Sequence, residues 1–202
     1  AQTFSSKGYC IVSKKVEGKE LFGVINAKGK TVIDFKYEHL DGLSYVHYGY
    51  FKFRDKKNNG FIDTTGKVVV PAKYKEFGTI ITEGTVKVGV SYNRWGLISM
   101  KDEPIIPMEY DFVSAWSDGL IRVRKGNLHG YFNRSGKIAI PIQYTKATDF
   151  QSGIAIAQKG GKVGVIDTKG EKVIDFIYDD FLEMVAVSKD DYSSSGFKES
   201  LM

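Results

Sequence analysis

Gly130-Tyr131-Phe132-Asn133-Arg134-Ser135-Gly136-Lys137-Ile138-Ala139-Ile140-Pro141-Ile142-Gln143-Tyr144 is the stretch on which the fold turns. Two strand-like runs, Tyr131-Phe132 and Lys137 to Ile140, flank Asn133-Arg134-Ser135-Gly136. Asn at the first position and Gly at the fourth is type I turn chemistry. The side-chain oxygen caps the turn, and glycine accepts the positive φ of a bulge. The stretch therefore reads as a β-hairpin. Pro141 is expected to stop the second strand, because it has no N–H to give a ladder.

The same spacing recurs along the chain. Gly23, Gly60, Gly96, Gly130 and Gly164 lie 37, 36, 34 and 34 residues apart. Six residues beyond each stand Gly29, Gly66, Asp102, Gly136 and Gly170. Eleven beyond stand Asp34, Pro71, Pro107, Pro141 and Asp175, and fourteen beyond stand Tyr37, Tyr74, Tyr110, Tyr144 and Tyr178. Four coincident columns define five diverged copies of one unit. A third strand begins at Gly49, Gly84, Gly119 and Gly153. There Phe51/Phe53 alternate with Lys52/Arg54, and Ile121/Val123 with Arg122/Arg124, which turns the apolar residues inward and the cations outward. Strands of this third type are also expected at Tyr9 to Lys15 and Met184 to Lys189.

This divides the chain into an N-terminal strand or cap (1–20), five repeats over 21–181 and a terminal strand with a flexible polar tail (182–202). The repeats run at about 22–58, 59–94, 95–128, 129–162 and 163–181. A three-stranded unit of roughly 35 residues cannot bury its apolar face alone, so its neighbours must cover it. An open, elongated all-β array of antiparallel repeats does so, and so does a closed five-bladed propeller. Closure usually needs one terminus to complete a blade begun by the other. Third-type strands at both ends duplicate rather than complete, which favours the open array.

Composition agrees. Apolar residues make up 42% of the chain, charged residues 26% and aromatics 13%, a globular, strand-favouring mixture. No run approaches the ~18 apolar residues of a membrane helix, so no membrane insertion is expected. The net charge of +5 is dispersed over turns, without the like-charge block of a nucleic-acid arm. The single cysteine, Cys10, excludes an internal disulfide and falls in a core column. The chain opens on Ala1-Gln2-Thr3-Phe4. That matches either the start left by signal cleavage or a boundary chosen for expression, and the first implies an exported bacterial protein: periplasmic, cell-surface or secreted.

The middle copies resemble WG (KWG) repeats, through Trp95-Gly96-Leu97-Ile98, Ile105-Ile106-Pro107 and Tyr110-Asp111. Trp116 and Phe150, each three before a strand glycine, match that family's aromatic-to-glycine step. The resemblance spans Leu21 to Asp180. Phe22, Asn59, His129 and Val163 replace the tryptophan elsewhere, and the third copy has Asp102 for the turn glycine. The resemblance implies a repeat architecture and no particular activity.

Catalytic motifs are missing from the sequence. His39, His47 and His129 lack metal-ligand spacing, and His129 reads as a surface residue in a turn. Gly160-Gly161-Lys162-Val163-Gly164 is a hairpin turn in register with the other copies rather than a phosphate loop. Asp34 and Asp175 hold the proline column of separate copies and suit strand-end hydrogen bonding better than paired acid–base chemistry. The tyrosine column is expected to bury its rings between copies and send its hydroxyls to backbone. No enzyme, cofactor or metal function is expected.

One constellation points to binding. Lys52, Arg54, Lys87, Arg122 and Arg124 share outward positions of the third strand, so equivalent strands would align them as a basic stripe. The fourth copy has Ile156 and Gln158 there. Such a stripe fits an acidic partner. The reading is a non-catalytic scaffold for macromolecules, with a protein partner first and a glycan or cell-envelope ligand second. A nucleic acid comes third, because its cations lack interleaved exposed aromatics.

Overall fold

The computed structural model describes residues 8–42, 48–82 and 84–180, and the side chains of all these except 79–82. His47, the Met184 to Lys189 run and the 182–202 tail lie outside the described residues. Everything described is strand, turn or short connection, in five antiparallel sheets. The first holds β1 (Tyr9–Val16), β2 (Lys19–Asn26) and β3 (Thr31–Tyr37). The second holds β4 (Leu40–Asp41), β5 (Tyr50–Asp55), β6 (Asn58–Asp63) and β7 (Val68–Tyr74). The third runs β8 (Glu76–Thr82), β9 (Thr85–Ser91), β10 (Arg94–Ser99) and β11 (Pro104–Tyr110). The fourth runs β12 (Phe112–Ser117), β13 (Leu120–Lys125), β14 (Leu128–Asn133) and β15 (Ile138–Tyr144). The fifth runs β16 (Lys146–Ala147), β17 (Ile154–Lys159), β18 (Lys162–Asp167) and β19 (Lys172–Tyr178).

Strands pair in sequence order, so each sheet is a meander. Each sheet joins the third strand of one sequence unit to the first hairpin of the next. Four sheets also carry a strand absent from the sequence reading, the segment just after the column tyrosine. It has little periodicity to reveal it, because a register shift interrupts its pairing in the third and fourth sheets. No ladder joins the first sheet to the fifth among the described residues. The array is open.

The hairpin turn is the same in every copy. In the fourth, Asn133 Oδ1 accepts the N–H of Ser135 at 3.0 Å and of Lys137 at 3.1 Å, while Gly136 N–H bonds Asn133 O at 3.0 Å. Ser99 plays the Asn role in the third copy, and Asp102 takes the left-handed position at φ 65°. That copy keeps its turn without the glycine.

Pro141 does not end its strand. β15 continues through it to Tyr144, and the same holds at Pro71 and Pro107. The proline sits where the register slips, with His129 opposite Tyr144 but Tyr131 opposite Ile140. A bulge leaves an unpaired position, so a residue lacking N–H costs nothing there. The bulge also explains the leading glycine. A Cβ on Gly96 would lie 2.5 Å from Ile106 O, and one on Gly60 2.6 Å from Val70 O.

Burial is arranged by seams. Each pair of successive sheets encloses its own apolar cluster, such as Tyr131, Ile140, Tyr144, Phe150, Ala155 and Ala157 between the fourth and fifth. Three comparable clusters fill the other seams. Neighbouring residues on one strand serve opposite seams: Leu97 packs toward the fourth sheet and Ile98 toward the second. Cys10 is buried as a core residue. No helix among the described residues is long and apolar enough to cross a membrane.

Candidate functional site

The basic residues of the third strand divide into two sets. Arg54 and Arg124 are exposed, as their alternation implies. Lys52, Lys87 and Arg122 are half-buried, drawn back into the seams instead of standing outward. Their long stems lie along neighbouring side chains while each head group finds a partner, which is how a strand cation stays near an apolar seam.

Those partners differ from copy to copy. Lys52 Nζ lies 3.5 Å from Asp41 Oδ2 on the adjacent strand β4. Arg122 Nε donates to Asp149 Oδ1 at 2.9 Å, and its Nη1 lies 3.3 Å from His129 Nδ1. Its guanidinium sits 5.1 Å from the Phe112 ring centre. Lys87 Nζ lies 5.1 Å from the Trp95 centroid and 5.6 Å from the Phe112 centroid, and donates to Val113 O at 3.2 Å. Burial holds its ammonium below the usual lysine pKa. Lys87 and Arg122 thus share Phe112 across the seam of the third and fourth sheets.

The aromatic groups here are already engaged. Arg134 stacks 5.5 Å from the Trp116 centroid, and Trp116 Nε1 donates to Thr85 Oγ1 at 3.1 Å. Trp95 Nε1 donates to Tyr92 O at 2.8 Å. Between the sheets lies a cavity of about 230 Å³ lined by Gly78, Thr85, Lys87, Phe112, Trp116, Asp149 and their neighbours. Phe112, Asp149 and Arg134 were not singled out in sequence. The sequence pointed to this place through the alternation that marked Lys87 and Arg122 and through the aromatic-to-glycine step at Trp116.

His129 is a half-buried member of β14, not a surface turn residue. Burial, together with the charges of Arg122 and Arg124, pushes its pKa down to about 4. It occupies the column of Trp95, and Arg122 meets it as Lys87 meets Trp95. The column tyrosines Tyr74, Tyr110 and Tyr144 bury their rings as expected, each 3% exposed. Their hydroxyls do not go to backbone: Tyr74 donates to Asp102 Oδ1 at 2.7 Å, and Tyr144 accepts from Gln143 Nε2 at 3.4 Å. In the third copy a turn carboxylate stands where glycine offers nothing, and it captures the hydroxyl of the preceding unit. Asp34 and Asp175 belong to the first and fifth sheets, and Asp175 is paired with Lys172. Among the described residues no three His, Cys, Asp or Glu side chains converge on a metal site.

Five stacked β-meanders, each register-locked by a glycine and a bulge, define a β-repeat array. The chain belongs to the WG containing repeat family, whose pattern matches residues 22–55, 60–91, 95–128, 130–162 and 164–190. No curated protein matches its sequence. Among solved structures it is similar to the computationally designed Ika8 protein, at 12% identity over 94% of this chain and 65% of that one, with a TM-score of 0.42. It is also similar to Kluyveromyces lactis Hsv2p, at 12% identity over 86% and 61%, with a TM-score of 0.36. The WD40 β-propeller domain of Doa1 is similar at 9% identity over 85% and 63%, with a TM-score of 0.34. The chain spans less than two thirds of each of these three.

Proposed function

We propose that this array is a non-catalytic scaffold that binds another protein through its basic third strands, and that the bound face of that partner is acidic. One observation carries the choice of protein over glycan. A sugar-binding groove needs open aromatic faces, whereas Trp95, Phe112 and Trp116 carry Lys87, Arg122 and Arg134 on their rings. The rings hold these cations at the seams, and the exposed cations beyond them face the partner. Arg54 and Arg124 extend the same strands with exposed charge, suited to steering an acidic surface into register.

The test reverses only the solvated pair. Arg54→Glu with Arg124→Glu is expected to leave the unfolding midpoint within about 0.5 kcal/mol of the parent. It is also expected to abolish salt-sensitive capture of acidic proteins from extracts of the source cells. Equal recovery of the same proteins by parent and variant contradicts the proposal. So does salt-insensitive binding to polysaccharides in place of proteins.

A further inference from the structure

We infer that the cavity between the third and fourth sheets is a socket for a single carboxylate presented by a peptide segment of the partner, with Lys87 as its counter-charge. The inference rests on the protein-binding reading and makes it specific. Its basis is a comparison inside the molecule. Lys52, Lys87 and Arg122 hold the same column of successive units. Lys52 is met by the carboxylate of Asp41, and Arg122 by that of Asp149. Lys87 has no carboxylate within ion-pairing distance among the described residues.

The reason lies in one residue. On the strand beside Lys52, Leu40 is opposite Phe53 and Asp41 opposite Lys52. On the strand beside Lys87, Phe77 is opposite Val88 and the register then shifts. Gly78, four residues past its column tyrosine as Asp41 is past Tyr37, lies against Lys87. A Cβ on Gly78 would lie 2.9 Å from Lys87 Cε and 3.0 Å from Lys87 Cβ. The chain therefore omits a side chain at the place where the preceding unit supplies the acid, and the omission helps open the cavity that Gly78 and Lys87 both line.

Chemistry and size agree on the ligand. An ammonium has three donors, and Lys87 uses one of them on Val113 O. Held against Phe112 and Trp95, it has lost much of its water, and an incoming carboxylate restores charge-assisted hydrogen bonding. Asp149 also lines the cavity but accepts from Arg122 Nε, so its charge is already met and Arg122 adds attraction at the rim. The volume of about 230 Å³ falls below the ~300 Å³ at which small-molecule sites begin. It suits one acidic side chain or a chain-terminal carboxylate.

The chain has only two tryptophans; Trp116 lines the cavity and Trp95 lies 5.1 Å from Lys87 Nζ, so their indole N–H signals report on the socket and its counter-charge. The full chain would be titrated with three capped peptides: Ac-Gly-Glu-Gly-amide, Ac-Gly-Gln-Gly-amide, and Ac-Gly-Gly-Gly with a free C-terminal carboxylate. The glutamate peptide is expected to move the Trp95 and Trp116 signals saturably, with affinity of about millimolar, and the glutamine peptide to leave them still. The third peptide separates a side-chain source from a chain terminus, and saturation by either carboxylate supports the socket. Lys87→Gln is expected to weaken binding at least about tenfold. Gly78→Asp supplies the acid internally and is expected to block the site in a folded protein. Equal shifts with glutamate and glutamine, or a glutamate response unchanged in both variants, overturns the socket. Saturation by galacturonate with no response to either carboxylate peptide overturns the peptide assignment. If Arg54→Glu/Arg124→Glu abolishes protein capture while Lys87→Gln and Gly78→Asp leave it intact, the socket falls and the scaffold stands.

Discussion

β15 and β19 have the same place in their sheets, follow the same turn and end on the same tyrosine column, yet their environments are opposite. Ile140 and Tyr144 of β15 are 1% and 3% exposed, while Ile174 and Tyr178 of β19 are 43% and 52% exposed. The difference is the next sheet. β15 is covered by Phe150, Ala155 and Ala157, whereas no described sheet follows β19. A repeat column thus fixes which residues can form a core, and the neighbouring unit decides whether they do.

The largest expected effect follows directly. Tyr144→Ala removes a ring packed in a closed seam and is expected to cost about 3 kcal/mol in urea denaturation. Tyr178→Ala is expected to cost less than about 1 kcal/mol. Equal costs would mean that the two tyrosines share an environment, and the seam description would fail.

The turn glycines sharpen the comparison between a seam and its rim. Gly136 has φ 74°, and a Cβ there would lie 2.3 Å from Ile105 O of the preceding sheet. Gly153 has φ 85° and open space around it. Gly136→Ala therefore adds a clash to backbone strain and is expected to cost about 2 kcal/mol or more, against about 1 kcal/mol for Gly153→Ala. If the two match, backbone conformation alone accounts for the turn.

Much of this architecture could be read before any coordinates. The glycine, proline and tyrosine columns gave the repeat, the hairpin turn and the buried rings, because each expresses local backbone chemistry or a burial repeated copy after copy. The fourth strand escaped notice because its pairing is irregular and two of its four examples, Leu40–Asp41 and Lys146–Ala147, are only two residues long. Proline was read as a strand end because a bulge and a terminus both lack an N–H partner. The basic stripe was half legible. Alternation located all five cations, but it could not show that Phe112, Asp149 and Asp41 from other strands and connections would draw three of them inward. Those partners lie 10 to 27 residues away in the chain, and no local period encodes them.

The smallest effect concerns His129. Its pKa of about 4 lies below the ordinary 6.5, so on acidification the unfolded chain takes up the proton before the folded one. Its contribution to stability is complete above pH 6.5, falls away between 6.5 and about 4, and is level below that. With screening of a half-buried group allowed for, the loss is on the order of 1 kcal/mol. Subtracting the pH profile of His129→Gln from that of the parent isolates it, and coincident profiles would remove the His129–Arg122 contact from the account.

Native-state hydrogen exchange tests most directly the claim that each unit is stabilised by the one that follows. The amides of β15 and β19 lie in equivalent ladders, against β14 and β18, so that the covering sheet is what differs among the described residues. Amides of Ile140 to Tyr144 are expected to exchange at least about a hundredfold more slowly than those of Ile174 to Tyr178. Equal protection of the two strands would contradict that claim.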